Sequence, residues 1–351
     1  MAYTTINKSS LHMNTKIYTG DSGTNNSITG IGFRPDMVWI KNRTGSGNHY
    51  LWDVVRGANK TIVPNDTDAE ETSSYLGSFN SDGFTLTSAS NNTNSSSYNY
   101  ASWNWKAGNS QGSSNTAGSI NTAYTSVNTT AGFSISKYTG NGSSGATIGH
   151  GLGVAPSMII ARRLNGVEDW AVYHKTLGAS KYIILNTTGA QQSSTSRWGG
   201  GTPTNNVFTL GNHASVNTSG GTHIAYCFAE KQGYSKFGSY TGNGNANGTF
   251  VYTGFKPSFV LQKMYEASAN GNWTMHDNRR SSSNGFNHVD KTLYPHLANS
   301  EDTGTGRGMD MLSNGFKFTG NDEGNTTNQK CIYMAFGQTL VGTNGVPATA
   351  R

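Results

Sequence analysis

Two stretches carry the spacing of known reactive motifs. Gly140-Asn141-Gly142-Ser143-Ser144-Gly145 fits the dinucleotide pattern G-x-G-x-x-G. That pattern works only between a strand and a helix, where the helix N-terminus holds a pyrophosphate. No helical periodicity follows Gly145, so the stretch reads as a hairpin loop. Gly108-Asn109-Ser110-Gln111-Gly112 fits G-x-S-x-G, the strained elbow that exposes a nucleophilic serine. The elbow also requires a following helix and a positioned histidine and acid. Here the serine lies in a Gly/Ser-rich segment, where such matches arise from composition alone.

Metal and acid–base chemistry find no better footing. The chain has nine histidines, but none forms an H-x-x-x-H pair, and its two cysteines form no C-x-x-C. The acidic stretch Asp66-Thr67-Asp68-Ala69-Glu70-Glu71 offers hard oxygens for Ca²⁺, yet lacks the glycine and length of a known calcium loop. It reads as a solvated loop. Glycoside hydrolysis would need two carboxylates on rigid strands, and most of the 19 Asp and Glu fall in loop-like segments. The expectation is no catalytic residue, no metal and no cofactor. Aromatic side chains are the remaining chemistry, since rings beside Asn and Asp can stack on and hydrogen-bond sugars. Tyr98, Trp105 and Trp198 are the candidate glycan or partner contacts. Trp39, Phe84, Phe208, Phe228, Phe316 and Phe336 are expected in a core.

The elements that position these residues come in three copies. Each copy opens on Tyr-Thr-Gly, at Tyr18-Thr19-Gly20, Tyr138-Thr139-Gly140 and Tyr240-Thr241-Gly242. Next comes Gly-x-x-Pro and an apolar run, at Gly32–Pro35, Gly153–Pro156 and Gly254–Pro257. An aromatic patch follows at His49–Asp53, Trp170–His174 and Trp273–Asp277, which puts Asp53, His174 and Asp277 at one repeat position. Phe84, Phe208 and Phe316 mark a fourth anchor. An alternating aromatic strand closes each copy, at Tyr100–Trp105, His223–Phe228 and Cys331–Phe336.

Composition agrees with short strands and long polar loops. Charged residues make up 13% of the chain, and 45 Gly stand against 7 Pro with no collagen period. The 17 Tyr, 14 Phe and 7 Trp, clustered between polar stretches, argue against disorder. The expected fold is all-β, as three tandem β-sandwich, jelly-roll-like repeats of about 100 residues. The apolar run after each Pro predicts a strand covered on both faces. The alternating last strand predicts one buried face and one exposed or interfacial face.

The expected division is repeat one with an N-terminal arm over 1–108, a Gly/Ser/Asn-rich linker over 109–130, repeat two over 131–232, repeat three over 233–338 and a polar tail over 339–351. The linker's composition predicts flexibility, although Ser119–Val127 could add as a strand to a neighbour. Repeats two and three join with almost no spacer and are expected to be rigid. No apolar run reaches the roughly 18 residues of a membrane span. No export signal opens the sequence, so folding in a cytosol is expected. Net charge is +6, with basic residues spread thinly, which argues against nucleic acid. Cys227 and Cys331 read as small buried hydrophobes.

Several segments carry a resemblance. Ala2–Ser10, Asn14–Asp21, Gly149–Ile160, Trp170–Lys175, Gly233–Gly244 and Val341–Arg351 resemble the marine, cyanophage-like family of bacteriophage virion structural or tail-fibre-like proteins with repeated Tyr-Thr-Gly β domains. The similarity covers nearly the whole chain and carries across no catalytic or binding residue. The first copy departs from the pattern by holding its Trp at 52 rather than 49. The resemblance implies a non-enzymatic virion protein, assembled in the host cytoplasm, that contacts other virion proteins. A tail-fibre or appendage role touching host-surface glycan is the leading expectation. A capsid decoration protein and a polysaccharide depolymerase are the alternatives. A homo-oligomer is expected, a trimer being one option.

Overall fold

The computed structural model describes residues 4–266, 271–281 and 287–339. Residues 340–351, nearly all of the expected tail, and Met1–Tyr3 of the expected arm lie outside them. Among the described residues the chain is strand and loop, with a single α-turn at Ala214–Asn217 and a 3₁₀ turn at Ser9–Leu11. The expectation of an all-β protein holds.

The first unit contains β1 (Met13–Thr19), β2 (Asn26–Thr29), β3 (Met37–Asn42), β4 (Tyr50–Asp53), β5 (Lys60–Thr61), β6 (Glu71–Thr72), β7 (Leu76–Asn80), β8 (Gly83–Leu86) and β9 (Asn99–Trp105). The second contains β10 (Thr122–Asn128), β11 (Phe133–Thr139), β12 (Thr147–Gly149), β13 (Met158–Arg163), β14 (Ala171–His174), β15 (Lys181–Ile184), β16 (Gln192–Ser193), β17 (Val207–Thr209) and β18 (Thr222–Phe228). The third contains β19 (Ser235–Thr241), β20 (Phe250–Tyr252), β21 (Pro257–Met264), β22 (Trp273–Asp277), β23 (His288–Val289), β24 (Met309–Leu312), β25 (Gly315–Phe318) and β26 (Lys330–Gly337).

One antiparallel order recurs in the main sheets: β1-β9-β3-β4, then β11-β18-β13-β14, then β19-β26-β21-β22. The opening Tyr-Thr-Gly strand always pairs with the closing aromatic strand, Tyr18 opposite Tyr100, Tyr138 opposite His223 and Tyr240 opposite Cys331. A smaller sheet lies over the outer face of each main sheet: β2-β8-β7, β12-β17, and β20-β25-β24-β23. Between the two layers sits a private core, exemplified by Ile28, Val38, Phe84 and Tyr100 in unit one. Ile148, Ile159 and Phe208 hold the places of Ile28, Val38 and Phe84 in unit two, and Val251, Val260 and Phe316 hold them in unit three, while Cys227 and Tyr333 join these cores from other positions of the closing strands.

The inner faces of all three main sheets share one further core, which the sequence pattern did not foretell. Trp39, Trp103 and Trp105 meet Ile135, Trp170 and Phe228 and also Phe237, Phe259 and Phe336 in a single apolar cluster. Trp105, Phe228 and Phe336 hold the same position in the three closing strands. Their rings touch mutually, with centroids 6.4 Å apart for Trp105–Phe228, 6.0 Å for Trp105–Phe336 and 6.3 Å for Phe228–Phe336. The units therefore stand around a pseudo-threefold axis. Strands predicted to be covered on both faces are so, as in β3, buried throughout. The closing strands are too: the alternation in β9 separates the private core from the shared one, and no residue of that strand past Asn99 faces solvent.

Segment 109–130 is not a free linker. Gly112 comes so close to Thr125 that a Cβ would stand 1.9 Å from its carbonyl oxygen, and a Cβ on Gly118 would stand 2.3 Å from that of Thr147. Glycine in this stretch permits close backbone contact, and β10 then adds to the edge of β11.

Candidate binding edge on the third unit

Most residues with chemical potential are engaged in holding the ring together. Each unit sends the loop after its fourth main strand onto the next unit. The Trp170 indole N–H donates to the Val63 carbonyl at 3.0 Å, that of Trp273 donates to Ile184 at 2.8 Å, and His49 Nε2 lies 2.9 Å from the Tyr294 carbonyl. His49 thus takes the position of the two tryptophans, which resolves the departure in the first copy; Trp52 instead fills the private core of unit one. One strand position earlier in sequence holds buried cations: Lys41 donates to the Ala298 carbonyl at 3.3 Å, Arg162 to those of Val63 and Asp66 at 3.1 and 2.9 Å, and Lys263 to that of Thr188 at 2.9 Å. Burial pushes Lys41 and Lys263 down to about 7 and Arg162 down to about 10.

The shared position of Asp53, His174 and Asp277 also lies on these seams. Asp53 pairs with Arg56 at 2.5 Å and accepts from the Tyr226 hydroxyl of unit two at 2.7 Å. Asp277 pairs with Arg280 at 2.5 Å and accepts from the Trp103 indole of unit one at 3.0 Å. His174 Nε2 lies 3.2 Å from the Tyr333 carbonyl of unit three, and burial lowers its pKa to about 4. Glu70 and Glu301 complete the two charged clusters through Arg56 and Arg280.

This geometry accounts for the motif matches. The loop at Gly140–Gly145 is tied down by Asn217, whose Oδ1 accepts from Asn141 N at 2.9 Å, and strand β12 follows it rather than a helix. Ser110 sits in a turn with its Oγ 3.3 Å from Gly112 N. The stretch Asp66–Glu71, expected as a solvated loop, instead gives backbone carbonyls to Arg162 and the Glu70 carboxylate to Arg56. No group of three His, Cys, Asp or Glu suited to a metal ion occurs among the described residues. Burial raises the Cys227 thiol and pushes that of Cys331 up to about 12, so neither is a ready nucleophile.

Two of the three candidate contact residues are corrected by the structure. Trp105, 1% exposed, is one of the three rings on the pseudo-axis, and Trp198, also 1% exposed, packs edge-on to Tyr173 and Phe208. Neither presents a face to a sugar, because each fills a core that the Gly-rich local sequence did not reveal. Tyr98 is half-buried against the core of unit one.

Sequence reasoning missed Asn94, Asn217 and Asn325, all fully buried. Each closes the loop after Tyr-Thr-Gly: Asn94 bonds Asp21 and Gly23, Asn217 bonds Asn141 and Ser143, and Asn325 bonds Asn243 and Asn245. Their recurrent signal is an Asn followed by two hydroxyl residues, as in Asn94-Ser95-Ser96, Asn217-Thr218-Ser219 and Asn325-Thr326-Thr327. The glycine of Tyr-Thr-Gly belongs to the same device. A Cβ on Gly20, Gly140 or Gly242 would stand 2.2, 2.4 or 2.4 Å from the carbonyl oxygen of the residue after that Asn.

What remains uncommitted is an edge. On one side of units one and three, the opening strand of the main sheet and the first strand of the small sheet both lie at sheet ends. In unit two, residues 112–128 close this side. There β10 pairs with β11, Ile120 bridges Ile148, Ser119 N donates to Thr147 Oγ1 at 2.8 Å, and Asn115 packs over Gly149. In unit three, β19 and β20 are both terminal strands. Phe250 and Tyr252 occupy the places of Thr147 and Gly149 and are 44% and 62% exposed. Unit one has Ser27 and Thr29 there, so the fold does not require rings at these positions.

A groove of about 470 Å³ runs beside Tyr252, lined by Glu230, Gln232, Ser235, Lys236 and Thr253. Glu230 bonds the ammonium groups of Lys175 at 2.6 Å and Lys236 at 2.7 Å. Burial acts to raise its carboxyl, but those two lysines carry it below the ordinary value. The carboxylate is thus fixed and already satisfied. With a stacking ring, amides, hydroxyls and no free nucleophile or base, the groove is equipped to bind.

A family described as a domain of unknown function, DUF7483, matches residues 8–339. No curated protein and no solved structure matches the chain. The family match spans all three units, both seams between successive units and the strap 112–128, and the chain belongs to the DUF7483 family.

Proposed function

We propose that this chain is a non-enzymatic structural component of a bacteriophage virion, carried on a tail fibre or similar appendage where it meets other virion proteins and the host surface. The observation that carries this reading is how the polar and aromatic side chains are used. Buried acids, cations and indoles bind one unit to the next, and the two most exposed aromatic side chains among the described residues, Phe250 and Tyr252, lie on one edge. A rigid ring with a lateral binding edge suits a part that holds position and makes contact. The resemblance of its Tyr-Thr-Gly segments to virion proteins supplies the setting. Host contact, including contact with glycan, falls to the exposed rings, since Trp105 and Trp198 are buried.

Capsid decoration is the second reading. Ser9 Oγ, beside unit one, donates to the Gln338 carbonyl beside unit three at 3.1 Å, a contact between the first and third units that suits a part sitting on a lattice. Antibody labelling of purified particles, viewed by electron cryomicroscopy, tests both. Label on tail or neck is the expected result; label over the head lattice replaces it with the decoration reading. Purified particles without the protein would overturn the virion assignment, and release of reducing ends from host polysaccharide would overturn the non-enzymatic one.

A further inference from the structure

We propose that the open edge of the third unit, formed by β19 and β20, is a docking groove for an extended polypeptide strand from another protein chain, added antiparallel to β19. The chain contains its own precedent. In unit two the same edge is occupied by residues 112–128, with Tyr124 opposite Lys137, Thr125 opposite Ser136 and Asn128 opposite Phe133. The occupant there is extended, rich in Ser, Thr and Asn, and held largely by backbone pairing, which is the chemistry of strand addition.

Three differences fit unit three for a strand from outside. The first is vacancy along the ladder: among the described residues β19 pairs with β26 alone, so its outer N–H and C=O row lacks a second strand, although Ser235 N meets the Lys231 carbonyl at 2.9 Å and Phe237 N the Glu230 carboxylate at 3.4 Å. The second is access. Where unit one sets Lys16 and unit two Ser136, unit three has Gly238, and a Cβ there would stand 2.9 Å from the Tyr333 hydroxyl. A lysine in an edge strand guards against pairing; β19 keeps one, Lys236, but the Glu230 carboxylate holds its ammonium at 2.7 Å, and the centre of the strand at Gly238 carries none. The third is the pair of rings. Phe250 and Tyr252 stand where residues 115–120 lie in unit two, so an incoming strand would cover them as it passes.

The partner is accordingly a short, uncharged, extended segment with small hydroxyl or amide residues facing β19 and at least one apolar residue over Phe250 and Tyr252. The Lys236–Glu230–Lys175 cluster at the near end is internally neutralised to one excess positive charge, so the groove calls for no strongly acidic partner. This inference does not depend on the virion reading, because it concerns how the edge is filled and not where the protein resides.

The test uses the full chain. A displayed library of random peptides, together with a synthetic peptide of residues 112–128, is selected on the wild-type protein and counter-selected on the double variant Phe250→Ser, Tyr252→Thr, which installs the residues of unit one. Both sites are exposed, so the variant is expected to keep the wild-type melting profile. Enriched peptides should bind the variant at least tenfold more weakly and slow amide hydrogen exchange over residues 235–241. Either of two results overturns the proposal: no enriched peptide depends on the two rings, or bound peptide leaves exchange over 235–241 unchanged.

Discussion

At the residue scale, the three seams solve one problem in two chemical languages. Seams one-to-two and three-to-one each bury an acid, an arginine and a second acid: Asp53, Arg56 and Glu70, then Asp277, Arg280 and Glu301. Three and seventeen residues beyond His174 on the remaining seam stand Leu177 and Gln191. Gln191 N donates to the Tyr265 carbonyl, just as Glu70 N donates to Leu164 and Glu301 N to Arg43. The whole charged set is thus exchanged for a neutral one, and the facing Tyr226 or Trp103 becomes Met334. Burying a charge whose partner is lost is costly, whereas replacing a complete buried ion cluster by neutral groups is often tolerated. Asp53→Asn alone should therefore destabilise the protein by about 3–5 kcal/mol, because Arg56 stays buried and charged. The combined change Asp53→His, Arg56→Leu, Glu70→Gln and Tyr226→Met should cost less than that single substitution. Urea unfolding of the two variants compares them directly; a larger loss in the combined variant would refute the equivalence of the seams.

At the element scale, the third main strand of each sheet carries a cation to a neighbour's loop, and this ties stability to pH. An unfolded lysine holds its proton to about pH 10.4, while burial brings Lys41 and Lys263 to about 7 in the fold, against the opposing pull of Glu301 on Lys41 and Cys331 on Lys263. Between those limits the unfolded chain binds more protons, so stability rises with pH through that window, and the full penalty is present below about pH 7. The urea midpoint should climb from pH 7 to pH 9. Lys41→Met should flatten part of the climb, since the Ala298 carbonyl keeps a donor in Gly47 N at 2.8 Å. An unchanged slope in that variant would remove Lys41 as a cause. These strands were legible in the sequence because Pro followed by a continuous apolar run implies cover on both faces. The cation near the strand's end was not, since a lysine among hydrophobic residues reads as the point where the strand emerges into water. The strap 112–128 was misread for a related reason: Gly, Ser and Asn signal flexibility by composition, and only the close approach of Gly112 to Thr125 reveals them as packing residues.

At the scale of the whole molecule, the periodicity of the sequence announced three units but not their mutual dependence. Alternation in a closing strand such as Tyr100–Trp105 says that two faces differ; it does not say that both are buried, or that Trp105, Phe228 and Phe336 meet. That contact has an energetic consequence. Each unit owns only the core between its two layers, and the inner face of its main sheet is covered by the other two units. A bead-on-a-string protein would let each bead melt at its own temperature. A ring with a common core should instead melt once, because losing one unit exposes the apolar inner faces of the remaining two. Phe208→Ala and Phe316→Ala separate these cases, since each removes a fully buried ring from one private core, of unit two or of unit three. Each should cost about 3–5 kcal/mol and lower a single calorimetric transition that stays single, with calorimetric and van't Hoff enthalpies remaining equal. A transition that splits in either variant, one part at the wild-type temperature and one below it, would mean that the units fold independently and that the shared core contributes little to holding them together.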